Sequence, residues 1–114
     1  MSAGKKYDNG KSPVHQGVFQ YFPRALLAVG DISKYGRDKY DLTYDDVNWR
    51  RVEGGIGRYG DARGRHILGE FIDGPIDPES GKLHAAMAAW NALAYLELVL
   101  TKQEEEKKNN VQEP

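Results

Sequence analysis

The chain has 114 residues, 39% of them hydrophobic and 11% aromatic, enough for one modest domain with a thin core. Its formal net charge is −1, so no global basic field favours nonspecific nucleic-acid binding. With no cysteine, disulfide frameworks and thiolate chemistry are excluded. The polar N-terminus, Met1 to Lys11, lacks the apolar run of a signal peptide, and no segment approaches the roughly 20 apolar residues of a membrane helix. Those features predict a cytoplasmic protein with no membrane partner.

Met1 to Gln20 has loop composition. A first helix is predicted from Phe22-Pro23, because proline costs nothing in a first helical turn, through Leu26, Leu27, Val29 and Ile32 toward a stop at Gly36. Asp38 to Arg51, charged and aromatic, reads as a long connecting loop with room for one short helical turn; Tyr44 falls in its middle. The second helix is predicted over Val52 to Ile72, where periodicity and propensity conflict. Val52, Ile56, Tyr59, Ile67, Leu68 and Phe71 keep helical steps, yet six glycines fall inside. Glycines on one face would suit close approach by another backbone. Gly74 to Gly81 is a turn segment. The third helix, Lys82 to Lys102, carries an apolar stripe at Leu83, Ala86, Trp90, Leu93, Leu96 and Leu100. The domain is therefore predicted over residues 1–102, with 103–114 a charged tail that extends the helix briefly and then disorders.

Several constellations could carry chemistry, and each has a plainer reading. His66 and Glu70, four apart on a helix that also aligns Tyr59, Arg63 and Asp73, suit a divalent metal; a solvated polar face is favoured by the pattern alone. His84 and Asn91 lie two turns apart on one side of the third helix. They could hold a metal, a phosphate or a base, or be an exposed histidine and a buried asparagine bonded to a neighbouring helix. Asp77 and Glu79 precede that helix either as a metal-linked pair or as helix-capping carboxylates, the capping reading being favoured. Lys11 sits in a flexible lysine loop without P-loop spacing. Lys39, Tyr40, Asn48 and Trp49 place a cation, an amide and two rings on one loop, for stacking on a base or for anchoring the loop.

Taken in order, Tyr7-Asp8-Asn9-Gly10-Lys11, Lys34-Tyr35-Gly36, Lys39-Tyr40, Asn48-Trp49, Gly57-Arg58-Tyr59, Arg65-His66, Asp77-Pro78-Glu79-Ser80-Gly81, His84 and Ala88 to Leu93 resemble the dATP/dGTP diphosphohydrolase family of phages and some bacteria. That family is similar in logic to the MazG-like all-α pyrophosphohydrolases. The resemblance implies a small all-α helical bundle completed by oligomerisation. It implies cleavage of a deoxypurine triphosphate to monophosphate and pyrophosphate with a divalent metal, Mg²⁺ or Mn²⁺. The corresponding roles are catalysis by His66, Asp77, Glu79 and His84, and metal binding by these together with Glu70. Lys11 and Lys39 would meet phosphates, and Asn48, Trp49 and Asn91 the sugar or base.

The chain departs from the family at Ala28, where relatives carry a glutamate, and at Met87, where they show a second histidine. Those departures motivate an alternative, a non-enzymatic phage accessory protein that binds a host protein or a nucleotide. A third reading, single-stranded nucleic-acid binding through Lys39, Tyr40, Trp49, Arg50 and Arg51, is opposed by the weak net charge.

Overall fold

A computed structural model describes residues 3–43 and 45–112; Tyr44 and the first two and last two residues of the chain lie outside the described set. Three α-helices carry the fold: α1 (Pro23–Lys39), α2 (Gly55–Asp73) and α3 (His84–Gln112). A π-helical turn, His15–Phe19, precedes α1, and a 3-10 turn, Asn48–Arg51, precedes α2. Among the described residues there is no β-strand, only one isolated antiparallel bridge between Ile76 and Leu83. The all-α class is as the sequence indicates. No helix among the described residues is long and apolar enough to cross a membrane.

The centre of the fold is an antiparallel hairpin of α2 and α3, and the glycines of α2 explain how it forms. A Cβ at Gly55 would lie 2.9 Å from Leu98, one at Gly60 would lie 3.4 Å from Tyr95, and one at Gly69 would lie 2.5 Å from His84. As the α2 residues rise in number their α3 neighbours fall, so the helices run in opposite directions. The propensity lost at these positions is recovered as contact area on α3. What approaches the glycines is a set of side chains, however, and not the second backbone that the sequence suggested. The hairpin turns at Gly74, whose φ of +87° favours a residue without a Cβ.

Helix α1 begins at Pro23 as its composition requires and packs on α3. The indole N–H of Trp90 donates to Ser33 Oγ at 2.8 Å, tying the two helices. Helix α1 runs three residues past Gly36. At its other end α3 continues through Gln112 rather than fraying near Lys102. Glu104 and Lys108 are four apart in that extension, an arrangement that supports a solvated helix, and no breaker occurs before Pro114.

Little of the apolar surface is buried within one chain. Among the described residues, the buried hydrophobic ones are Ile32, Ala86 and Ala94. The predicted stripe on α3 leaves Leu93, Leu96 and Leu100 about half exposed.

Candidate functional site

Two features converge on the α2–α3 hairpin. The first is a chain of hydrogen bonds at its turn end. His84, only 3% exposed, opens α3 and lies against the bare backbone of Gly69. Its Nε2 is 3.1 Å from Asp73 Oδ2, and its Nδ1 is 3.0 Å from Nδ1 of His66. A carboxylate only accepts, so the network assigns the proton on His84 to Nε2. With His84 neutral, its Nδ1 is the acceptor, and His66 donates from its own Nδ1. The neutral His66 so defined carries its lone pair on Nε2. Burial lowers the pKa of His66, and the neighbouring His84 and Arg65 act in the same direction against the opposing charges of Asp77 and Glu79. His66 is thus a neutral base near pH 7.

The turn that feeds α3 is held by its own residues. Asp77 Oδ1 accepts the backbone N–H of Glu79 at 3.1 Å, and Oδ2 accepts the Ser80 hydroxyl at 2.8 Å. Ser80 Oγ in turn accepts the N–H of Lys82 at 3.1 Å. Backbone bonds from Asp77 N to Lys82 O, Gly81 N to Asp77 O and His84 N to Pro75 O close the loop. Burial pushes the Asp77 carboxyl upward, but these two hydrogen bonds and the facing histidines outweigh it and hold its pKa below the usual carboxylate value. Asp77 therefore holds the turn ahead of α3, which itself begins at His84. Asp77→Ala is expected to lower stability by about 1–2 kcal/mol, read from a chemical denaturation midpoint at pH 7. Because the folded pKa is depressed, this contribution is present above about pH 4 and is lost as pH falls through the folded value.

The second feature is an open cavity of about 960 Å³ walled by α1, the 38–52 connection, α2 and α3. Trp49, Tyr59 and Trp90 meet there edge to face, with centroids 5.8–6.2 Å apart. The Tyr59 hydroxyl donates to the Trp49 carbonyl at 2.8 Å, which fixes the 3-10 turn against α2. Lys39, Arg58 and Arg65 line the same space, together with Asp61 and Glu97. His66 follows Arg65 on α2, and His84 lies one turn before the lining residue Met87 on α3. The cavity lining thus reaches Arg65 and Met87, the helical neighbours of His66 and His84, while the rings of the two histidines and Asp73 do not line it.

Of the substrate-contact candidates, Lys39, Asn48, Trp49 and Asn91 all line this cavity, whereas Lys11 lies in the exposed N-terminal segment and does not. Asn91 is buried, and its amide donates to Met87 O at 2.8 Å, a bond within its own helix and not to a neighbour. Of the catalytic and metal candidates, His66, Asp77 and His84 come together at the turn, where the charge of Glu79 also reaches His66. Glu70 stands exposed on α2. The sequence reading placed Asp73 on the polar face but did not pair it with His84, and it gave Gly69 no role toward that ring.

The donor chemistry bears on which ion the site could hold. Among the described residues, no three His, Asp or Glu side chains converge as a metal cage. Both ring nitrogens of His84 and Nδ1 of His66 have protein partners, and both oxygens of Asp77 hold its turn. Glu70 and Glu79 remain as exposed carboxylates. One or two carboxylates fit a hard ion that also takes phosphate oxygens from a nucleotide.

These features define a small all-α domain built on a glycine-contacted helical hairpin that carries both an aromatic cavity lined by cations and a carboxylate–imidazole–imidazole chain. A family model described as dATP/dGTP diphosphohydrolase, N-terminal, matches residues 1–108, and the chain belongs to that family. No curated protein and no solved structure matches it. The family's name denotes a diphosphohydrolase of dATP and dGTP, and the matched segment is its N-terminal part.

Proposed function

We propose that this domain hydrolyses a deoxypurine nucleoside triphosphate to the monophosphate and pyrophosphate, in the host-cell cytoplasm and in the service of phage nucleotide metabolism. One observation carries the reading: the hydrogen-bonded chain from Asp73 through His84 to neutral His66 leaves a lone pair on His66 Nε2, on the same hairpin whose Arg65 and Met87 line a cavity of aromatic rings and cations. The purine stacks against the Trp49 side of the aromatic group. Asn48 and the Oδ1 of Asn91 bond the base or sugar edge. Lys39, Arg58 and Arg65 meet the phosphates.

His66 Nε2 takes a proton from water as the water oxygen bonds to the α-phosphorus. The bond from that phosphorus to the bridging oxygen breaks, and pyrophosphate leaves. His84 accepts the hydrogen bond of His66 throughout, and Asp73 holds His84 in the tautomer that makes this possible. A divalent ion, Mg²⁺ or Mn²⁺, that arrives with the triphosphate supplies charge neutralisation when bound, and Glu70 and Glu79 would hold it.

The test is pyrophosphate release from dATP and dGTP with each ion. A folded protein silent on every deoxynucleotide would instead favour the role of an accessory that binds a nucleotide or a host protein.

A further inference from the structure

The turn that carries Asn48 and Trp49 has little packing of its own. The connection between α1 and α2 closes on itself through Asp46 N–H to Thr43 O at 3.1 Å, Arg50 N–H to Val47 O at 2.9 Å, and an ion pair of Arg51 with Asp46 at 2.7 Å. That pair is largely open to solvent and adds little. Val47, Asn48 and Arg50 are exposed. Yet Asn48, Trp49 and Arg50 all line the cavity, and the Arg50 guanidinium lies 5.0 Å from the centroid of the Trp49 ring.

Tyr59 reaches this turn from α2. Its hydroxyl donates to the Trp49 carbonyl at 2.8 Å, and its ring meets those of Trp49 and Trp90 edge to face at 6.2 and 5.8 Å. Trp90 is in turn tied to Ser33 of α1 at 2.8 Å. The turn is thereby held against all three helices, and the hydroxyl bond gives that contact a direction. Burial raises the pKa of Tyr59 against the charge of Arg58, so the hydroxyl remains a donor through the neutral range. Its proton is committed to the Trp49 carbonyl and so to the turn, not to a substrate.

We infer that Tyr59 is a positioning residue: its hydroxyl latches the Asn48–Arg51 turn onto α2 and so holds Trp49 as the wall on which a purine stacks. The role rests on the nucleotide-binding reading above. A wall already in place spares the nucleotide the cost of ordering it, so the latch contributes to binding of the base and not to the hydrolytic step. Loss of the bond weakens base-dependent binding by about 3–10-fold, the effect of one net hydrogen bond. The phosphate contacts of Lys39, Arg58 and Arg65 stay as they are.

Tyr59→Phe keeps the ring and deletes the latch, and two readouts test it. Hydrogen exchange of the nucleotide-free chain requires no activity. The Arg50 amide and its neighbours in the turn should exchange about 3–10-fold faster in the variant, with the central amides of α2 and α3 unchanged. Equilibrium binding then compares dATP and dGTP with inorganic triphosphate, which has no base. Affinity for both deoxynucleotides should fall about 3–10-fold while affinity for inorganic triphosphate holds. In turnover the loss should appear in KM, with kcat changed by less than about twofold. Tyr95→Phe, on the same hairpin, should change none of these. Unchanged exchange in the turn overturns the inference, as does an equal loss of affinity for all three ligands. Faster exchange with undiminished deoxynucleotide affinity overturns this role alone. An unaltered chain that binds neither deoxynucleotide overturns the proposed function and this role with it.

Discussion

Alanine at position 69 should destabilise the domain by about 2 kcal/mol, although alanine is the better helix former. Gly→Ala in a helix interior returns about 1 kcal/mol of propensity. At Gly69 the added Cβ would lie 2.5 Å from Cε1 of His84 and within 3.0 Å of both ring nitrogens. The ring is not a flexible end that can swing aside. It is buried, bonded to Asp73 and His66, and anchored by its own backbone bond to Pro75. Overpacking costs about 1–3 kcal/mol, and breaking the ring's hydrogen bonds adds a further ~1–3 kcal/mol for groups left unpaired. Clash therefore outweighs propensity. Gly30, in the middle of α1, has nothing within 4 Å of its would-be Cβ, and Gly30→Ala should stabilise by up to ~1 kcal/mol. Denaturant midpoints of the two variants should move in opposite directions. A stabilised Gly69→Ala variant would mean that His84 does not occupy the α2–α3 contact.

The largest effect on turnover is expected at His66. His66→Gln keeps a similar volume and a polar end but no base, and should cut pyrophosphate release by about 10²–10⁴-fold with the helical circular-dichroism signal intact. His66 is half-buried at the edge of the hairpin, so removing its ring costs little packing, whereas His84→Ala would empty a buried position and strand Asp73 and His66 together. For that reason His66 is the cleaner probe of chemistry. The pH profile gives a second readout. Because burial lowers its pKa, His66 stays unprotonated below the ordinary histidine value near 6.5, so the acid limb of turnover should lie below that pH. Asp73→Asn, which allows the other tautomer of His84, should also lower turnover and move the limb. A His66→Gln enzyme with unchanged turnover would remove His66 as the base.

The helices were legible where one physical signal dominated. Pro23 with the Leu26 to Ile32 run marked α1, and the uninterrupted Leu83 to Leu100 stripe marked α3. Helix α2 was ambiguous because its glycines answer to neighbours distant in sequence: Leu98, Tyr95 and His84 account for Gly55, Gly60 and Gly69, and no local rule supplies those pairings. The site divided in the same way. His66 was visible from helical spacing and His84 from its place beside Asn91. The bond between them, and that from His84 to Asp73, cross the hairpin turn and follow only from antiparallel packing. Asp77 illustrates how one motif serves two readings, since its spacing suits a metal and a helix cap alike, while its hydrogen bonds to Glu79 and Ser80 close a turn with no helix starting at it. The charged composition of the tail predicts only a brief extension of the helix, yet Glu104 and Lys108 stand four residues apart within a helix that reaches Gln112.

The most direct measurement is pyrophosphate release from each of the four deoxynucleoside triphosphates, first with Mg²⁺ and then with Mn²⁺. Metal-dependent release from dATP or dGTP, with monophosphate formed in equal amount, is the predicted result. Silence on all four from protein with an intact helical signal would contradict it.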